Sequence, residues 1–242
     1  MPPTLAGANL VVIGGSSGLG YAVAEGAIAE GARATIASSG AAKVEAAAAR
    51  LGNQAAGVVA DVADGASLEA LFAAAGAGGP VDHLVFTAGD WSRRNPGPVA
   101  ELDFDAAAAA PAVRFWGALR AIKHALPHLA EGASITLTSG LVAHRPMKGR
   151  GFASAFGGAV EHLVRGLAVD LAPIRVNGVC PGLIATEATA NFPEEMARRF
   201  TQGQPIPRMG QPAEVAQAYL YLMRGAYTTG QVLFVDGGRL LT

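Results

Sequence analysis

The residues best placed to do chemistry lie in the stretch 9–20, NLVVIGGSSGLG, where Gly14, Gly15, Gly18 and Gly20 follow a short apolar run. Residues 10–13 have the composition of a strand buried on both faces. Behind the glycines, YAVAEGAIAEGA reads as a helix with Ala22, Val23, Gly26 and Ala27 on one face. A buried strand, a glycine turn and a small-residue helix together make a phosphate cradle. The helix start offers free N–H groups and a positive dipole end. Glycine lets the backbone approach a pyrophosphate without a Cβ in the way. The spacing is GxxxGxG, not the commoner GxGxxG. Such a turn could also join a strand to a helix with no ligand; the strand before it and the helix behind it favour the cradle.

Elements that would position this turn alternate along the chain. Strands are expected at 33–37, 55–60, 83–86, 134–138, 174–179 and 231–235. Helices are expected at 41–51, 67–75, 104–129, 159–171 and 212–224, with Pro111 as a kink or boundary in the third. A polar, proline-bearing segment at 186–211 reads as a cover over a substrate. Repeated βαβ units with short buried strands predict an α/β fold, a doubly wound parallel sheet covered on both faces. No linker interrupts it, so one domain over 1–242 is expected. Ligands of such sheets sit beyond the carboxyl ends of the strands.

Composition narrows the function. The chain has 242 residues, 51% of them hydrophobic, and a formal net charge of −1. That is enough for a large core, and it gives no basic face for nucleic acid. Cys180 is the single cysteine, so no intrachain disulfide can form, and it reads as a small buried residue beside a Pro-Gly. No metal site is expected. The opening MPPTLAGANL lacks the pattern of a signal peptide, and no run is apolar for long enough to span a bilayer. A cytoplasmic chain with no membrane partner is the expectation.

Further motifs complete the pattern: Asp61–Val62, TAG at 87–89, Ser139 after the fifth strand, IRVNGVCPG at 174–182, PIPRMGQPAEVA at 205–216 and TGQVLFVDGG at 229–238. With GGSSGLG at 14–20, they resemble the short-chain dehydrogenase/reductase family over nearly the whole chain. The resemblance implies a Rossmann fold that binds a nicotinamide dinucleotide. Gly14, Ser16, Ser17, Gly18, Leu19 and Gly20 would then hold the pyrophosphate. Asp61 would accept from the adenine amino group and Val62 would pack on the ring, although Asp61 alone could be a strand-end turn residue. Ala88 and Gly89 would line the adenosine ribose. Pro181, Gly182, Ile184 and Thr186 would hold the nicotinamide carboxamide. The family usually assembles as a homotetramer through its long helices and last strand, or as a homodimer, and this chain has both elements.

Charge argues for the cofactor. A carboxylate at the end of the second strand would bind ribose hydroxyls and repel a 2′-phosphate. That place holds Ser38 and Ser39, with Lys43 one turn on. NADP(H) is therefore expected over NAD(H), although the two serines could instead cap the helix expected from 41.

The family works with Asn, Ser, Tyr and Lys. Ser139 is present and would steady a substrate oxygen. Counting forward from Ser139 by the family's spacing puts the Tyr and Lys places at Phe152 and Phe156. Counting back from EHLVRGLAVDLAP puts them at Ala153 and Gly157. No tyrosine occurs between Tyr21 and Tyr219, and the nearest lysine is Lys148. Arg114 stands at the Asn place. An arginine is no ordinary proton donor, but it can stabilise negative charge or fork onto a carboxylate. It could equally pair with Asp103. His144 could donate a proton, or it could be a loop histidine with no role. Trp91, Trp116, Met147, Phe152 and Phe192 could form an apolar substrate wall, although each alone could be ordinary packing. The expected function is an NADP-dependent reductase of a small molecule, with an atypical site bearing Ser139, Arg114 and His144. The hydride acceptor would be an imine, a conjugated system or a carbonyl. The alternatives are a catalytically silent dinucleotide sensor and a non-redox cyclase or isomerase on the same pocket.

Overall fold

Apolar runs bounded by glycine and polar residues favour strands whose two faces are both covered, and here they form one parallel sheet. The computed structural model describes residues 4–89 and 97–242; Trp91 lies outside them. Strands β1 (Asn9–Ile13), β2 (Arg33–Ser38), β3 (Ala55–Val59), β4 (Val81–Phe86), β5 (Leu129–Thr138), β6 (Arg175–Pro181) and β7 (Val232–Val235) lie in the order β3-β2-β1-β4-β5-β6-β7. Every pairing is parallel. The order reverses between β1 and β4, which is where such sheets open a crevice for a ligand.

Helices α1 (Gly18–Ala29), α2 (Ala41–Leu51) and α3 (Gly65–Gly76) follow the first three strands. Helices α4 (Phe104–Ala109) and α5 (Ala118–Ala125) link β4 to β5, and α6 (Gly151–Asp170) links β5 to β6. Helices α7 (Glu194–Thr201) and α8 (Pro212–Arg224) precede β7. One core packs α3, α5 and α6 on one sheet face through Leu68, Phe72, Ala121, Ile122, Val160 and Val164. The other packs α1 and α8 on the opposite face through Val23, Ala27, Val215, Tyr219 and Leu220. Each fully buried leucine or valine contributes about 1.5–3 kcal/mol over its exposed state.

Two expectations are corrected. The helix expected over 104–129 is broken. The Pro111 carbonyl accepts from both Phe115 N–H and Trp116 N–H, at 3.0 and 3.1 Å, so the chain widens into a π-helical turn over Ala112–Gly117. Proline cannot continue the regular ladder, and the wide turn absorbs the break. Leu129, expected as the last helical residue, instead opens β5. Second, α6 begins well before residue 159, so Phe152, Ala153, Phe156 and Gly157 are helical. The 186–211 segment, expected as a cover, contains α7.

Candidate functional site

The glycine turn crosses the crevice between β1 and β4. Thr87 Oγ1 donates to the carbonyls of Ile13 and Gly14, both at 3.2 Å, and Thr87 and Ala88 N–H both donate to Ile13. The end of β4 is thereby clasped to the turn, and Ala88 and Gly89 lie beside it. Gly20 is packed so closely that a Cβ there would strike the Gly14 carbonyl, and Gly14 itself has φ +91°. Helix α1 opens with Ser17 extended, without a side-chain cap and without an acid in its first turn. Among the described residues nothing accepts from the N–H groups of Gly18, Leu19 and Gly20. These free donors at a dipole's positive end fit a dinucleotide pyrophosphate.

The other expected cofactor residues converge on the same edge. The Thr186 Cγ2 atom is 3.3 Å from where a Gly18 Cβ would stand, so the chain after Pro181–Gly182 reaches the glycine turn. Ile184 is buried and bridges to Gly210. Asp61 lies two residues beyond β3, with Oδ1 accepting from Ala63 N–H at 2.9 Å, a turn role that leaves Oδ2 for another donor. Val62 is buried against the π-helical turn, where a Cβ on Gly117 would meet its Cγ2 at 2.6 Å. The residue before α2 is Gly40, with no side-chain cap, so Ser38 and Ser39 are not spent on capping.

At the ends of β5 and β6 lies a cluster that the sequence reading did not foresee. Ser139 is only 1% exposed, and its hydroxyl donates to Glu161 Oε1 at 2.9 Å. Its partner among the described residues is a buried carboxylate. Glu161, on α6, is 3% exposed. It also holds His144 Nε2, at 2.7 Å from Oε2 and 2.9 Å from Oε1. The His144 ring meets the edge of Phe234 on β7, with centroids 4.8 Å apart. Cys180 completes the group: its Sγ, a His144 ring nitrogen and a Glu161 oxygen all lie within 4.8 Å of one another. Burial pushes the Cys180 thiol up to about 12, partly offset by a hydrogen bond with Ser139. The sequence reading expects no metal and missed this trio of ligand types. A neutral thiol and a direct imidazole–carboxylate bond describe a hydrogen-bonded cluster.

Glu161 escaped the sequence reading although a signal for it existed. Gly157, Val160, Glu161 and Val164 form one buried helix stripe, and an acid on such a stripe is exceptional. Arg114 rides on the π-helical turn and is half-buried. Phe152 and Phe156 lie 4.7 Å apart by centroid, and Phe156 meets Phe115 at 6.0 Å, giving an aromatic row between α6 and the turn. Trp116 packs edge-on against Phe115 and is half exposed, as is Met147. Phe192 instead packs on Phe200 of α7.

Comparisons with known proteins agree with this architecture. The family model described as Enoyl-(Acyl carrier protein) reductase matches residues 13–239. The short-chain dehydrogenase/reductase fsr5 of Gibberella fujikuroi is 36% identical over 98% of this chain and 96% of its own. The structure titled MalC Reductase/Diels-Alderase from Malbranchea aurantiaca superposes with a TM-score of 0.91 at 32% identity, covering 98% of both chains. A small-chain dehydrogenase solved in complex with NADPH gives a TM-score of 0.81 at 33% identity, covering 98% of this chain and 100% of that one. The chain belongs to the short-chain dehydrogenase/reductase family of oxidoreductases.

Proposed function

We propose that this protein is an NADP(H)-dependent reductase of a small molecule, acting on an imine, a conjugated system or a carbonyl through an atypical site. The observation that carries the reading is the crevice between β1 and β4, with its unpaired N–H groups at Gly18, Leu19 and Gly20 and its acid-free β2 end. When bound, the reduced nicotinamide supplies hydride. The glycine turn holds the pyrophosphate, Ser38 and Ser39 donate to the 2′-phosphate with Lys43 nearby, and Asp61 accepts from the adenine amino group. Pro181, Gly182, Ile184 and Thr186 hold the carboxamide. Ala88 and Gly89 line the ribose, and 186–211 covers the substrate.

Ala153 and Gly157 leave one register of the relay face without a proton donor, and Phe152 and Phe156 fill the other with phenyl rings. A protonated imine is already electrophilic and needs least from the protein, so it is the favoured acceptor. Arg114 on the π-helical turn stabilises negative charge in the acceptor or binds a substrate anion. Calorimetry with NADPH and NADH tests the cofactor, and tighter NADPH binding is expected. Cofactor oxidation across cyclic imines, conjugated acceptors and ketones tests the reaction. Reduction of plain ketones alone would refute the imine preference.

A second reading is a non-redox cyclisation in the same pocket; the relative titled Reductase/Diels-Alderase favours keeping it. Substrate conversion without cofactor consumption would select it. A silent sensor would bind NADPH and convert nothing. A homotetramer in the cytoplasm is the proposed state; Phe104, Trp116 and Val169 are exposed on the helices that would meet, and light scattering at micromolar concentration tests it. No helix among the described residues is long and apolar enough to cross a membrane.

A further inference from the structure

We infer that His144 is the proton donor of this site and that Glu161 is its positioning residue, the pair standing where a tyrosine–lysine relay would otherwise work. The inference rests on the reductase reading. Positions 153, 157 and 161 follow one another at one-turn spacing on the same face of α6. The first two carry alanine and glycine, and the third carries a buried carboxylate.

A buried carboxylate is costly unless it is paired. Among the described residues the ion-pair partner of Glu161 is His144 alone. Ser139 supplies a second donor to Oε1, which fixes the carboxylate from the β5 side. The imidazole is thus held by Nε2 alone, while its Nδ1 has no hydrogen-bond partner among the described residues. One ring nitrogen on a carboxylate and the other free is the arrangement that lets an imidazole exchange protons with a ligand. The ring is 34% exposed, against 4% for the Glu161 side chain, so the pair runs from a buried anchor to an open end. His144 follows the turn Leu141–Ala143 just beyond β5, on the carboxyl edge of the sheet. The neighbouring polar groups are Ser139 and Cys180, and the thiol is neutral.

The step balances. A carbonyl or unprotonated imine carbon gains a hydride from a reduced nicotinamide dinucleotide, and its π pair moves onto the oxygen or nitrogen. That atom takes the proton leaving His144 Nδ1. The ring is left neutral with Nε2–H on Glu161, and a proton from water recharges it.

The test uses the whole protein. In the apo state, nitrogen-edited proton NMR is expected to show a far-downfield Nε2–H resonance that is lost in Glu161→Gln. With cofactor and a carbonyl acceptor, which must be protonated as hydride arrives, His144→Gly is expected to lower kcat about 100-fold or more, leave NADPH affinity within about twofold, and recover rate with added imidazole; a protonated imine needs no such donor and is expected to be reduced by both proteins. Glu161→Gln is expected to lower kcat about tenfold or more with KM nearly unchanged. Carbonyl turnover that survives His144→Gly, or a loss that imidazole does not restore, would overturn the assignment. A wild-type protein that oxidises no NADPH over the panel would overturn the reductase reading, and the donor role with it. The apo resonance reports on the pair in either case, and its absence would remove the positioning role.

Discussion

His83 gives the sharpest quantitative expectation. It lies in β4 with Nδ1 2.8 Å from Ser134 Oγ on β5. Burial lowers it from 6.5 to about 4; the charge of Arg175 adds to this, and Asp82 partly offsets it. The unfolded chain therefore binds a proton in a range where the folded chain refuses it. By linkage, unfolding is favoured as pH falls through the unfolded value of 6.5, and the loss is complete only below the folded value of about 4. Between about pH 7.5 and about pH 4.5 these values give a loss of about 2.5 kcal/mol from this one group. His83→Asn keeps a polar atom near Ser134 and removes the titration. Urea unfolding of both proteins across that window should give a wild-type stability that falls about 2.5 kcal/mol further than the variant's. A uniform cost of the substitution at all pH values is immaterial, because the slope carries the effect. Parallel pH dependences would refute the reasoning.

Three further outcomes are expected. Gly20→Ala should cost about 1–3 kcal/mol of stability and weaken NADPH binding at least about tenfold, because the new Cβ meets the Gly14 carbonyl and Thr87 Oγ1; thermal melts with and without cofactor check both. Thr138 Oγ1 donates to the Phe86 carbonyl, so the 2.8 Å contact with Tyr219 Oη must be a bond donated by the tyrosine. Tyr219→Phe should therefore cost only about 1 kcal/mol, while Thr138→Val strands a buried phenol and should cost about 2–3 kcal/mol, as measured by chemical denaturation. Cys180, with its thiol pushed up to about 12, should resist iodoacetamide at neutral pH in the native protein and react after unfolding in urea.

Much of the fold could be read from the residues. Buried strands such as LVVI and SITLT announce themselves because both faces are covered, and Pro212 marks the start of α8. The start of α6 was hidden by Gly151, Gly157 and Gly158, whose weak helix propensity is overridden by packing against β5, β6 and the 141–143 turn. The π-helical turn was visible only as a proline, since nothing local says whether a proline ends a helix or widens it. The cofactor crevice was legible because backbone approach demands glycine. The cluster at Ser139 was not, because its pairings join residues from β5, α6 and the turn between them, and sequence spacing does not reveal which carboxylate meets which ring.

Gly157 bears on where His144 sits. A Cβ at that position would stand 3.0 Å from the Ala143 methyl and 3.4 Å from the Ala143 nitrogen. Any side chain introduced there must push back the 141–143 turn, and the next residue after that turn is His144. A lysine placed at 157 would press on the turn that carries the histidine Glu161 holds, so the small residue at 157 and the seat of His144 are coupled through one methyl contact.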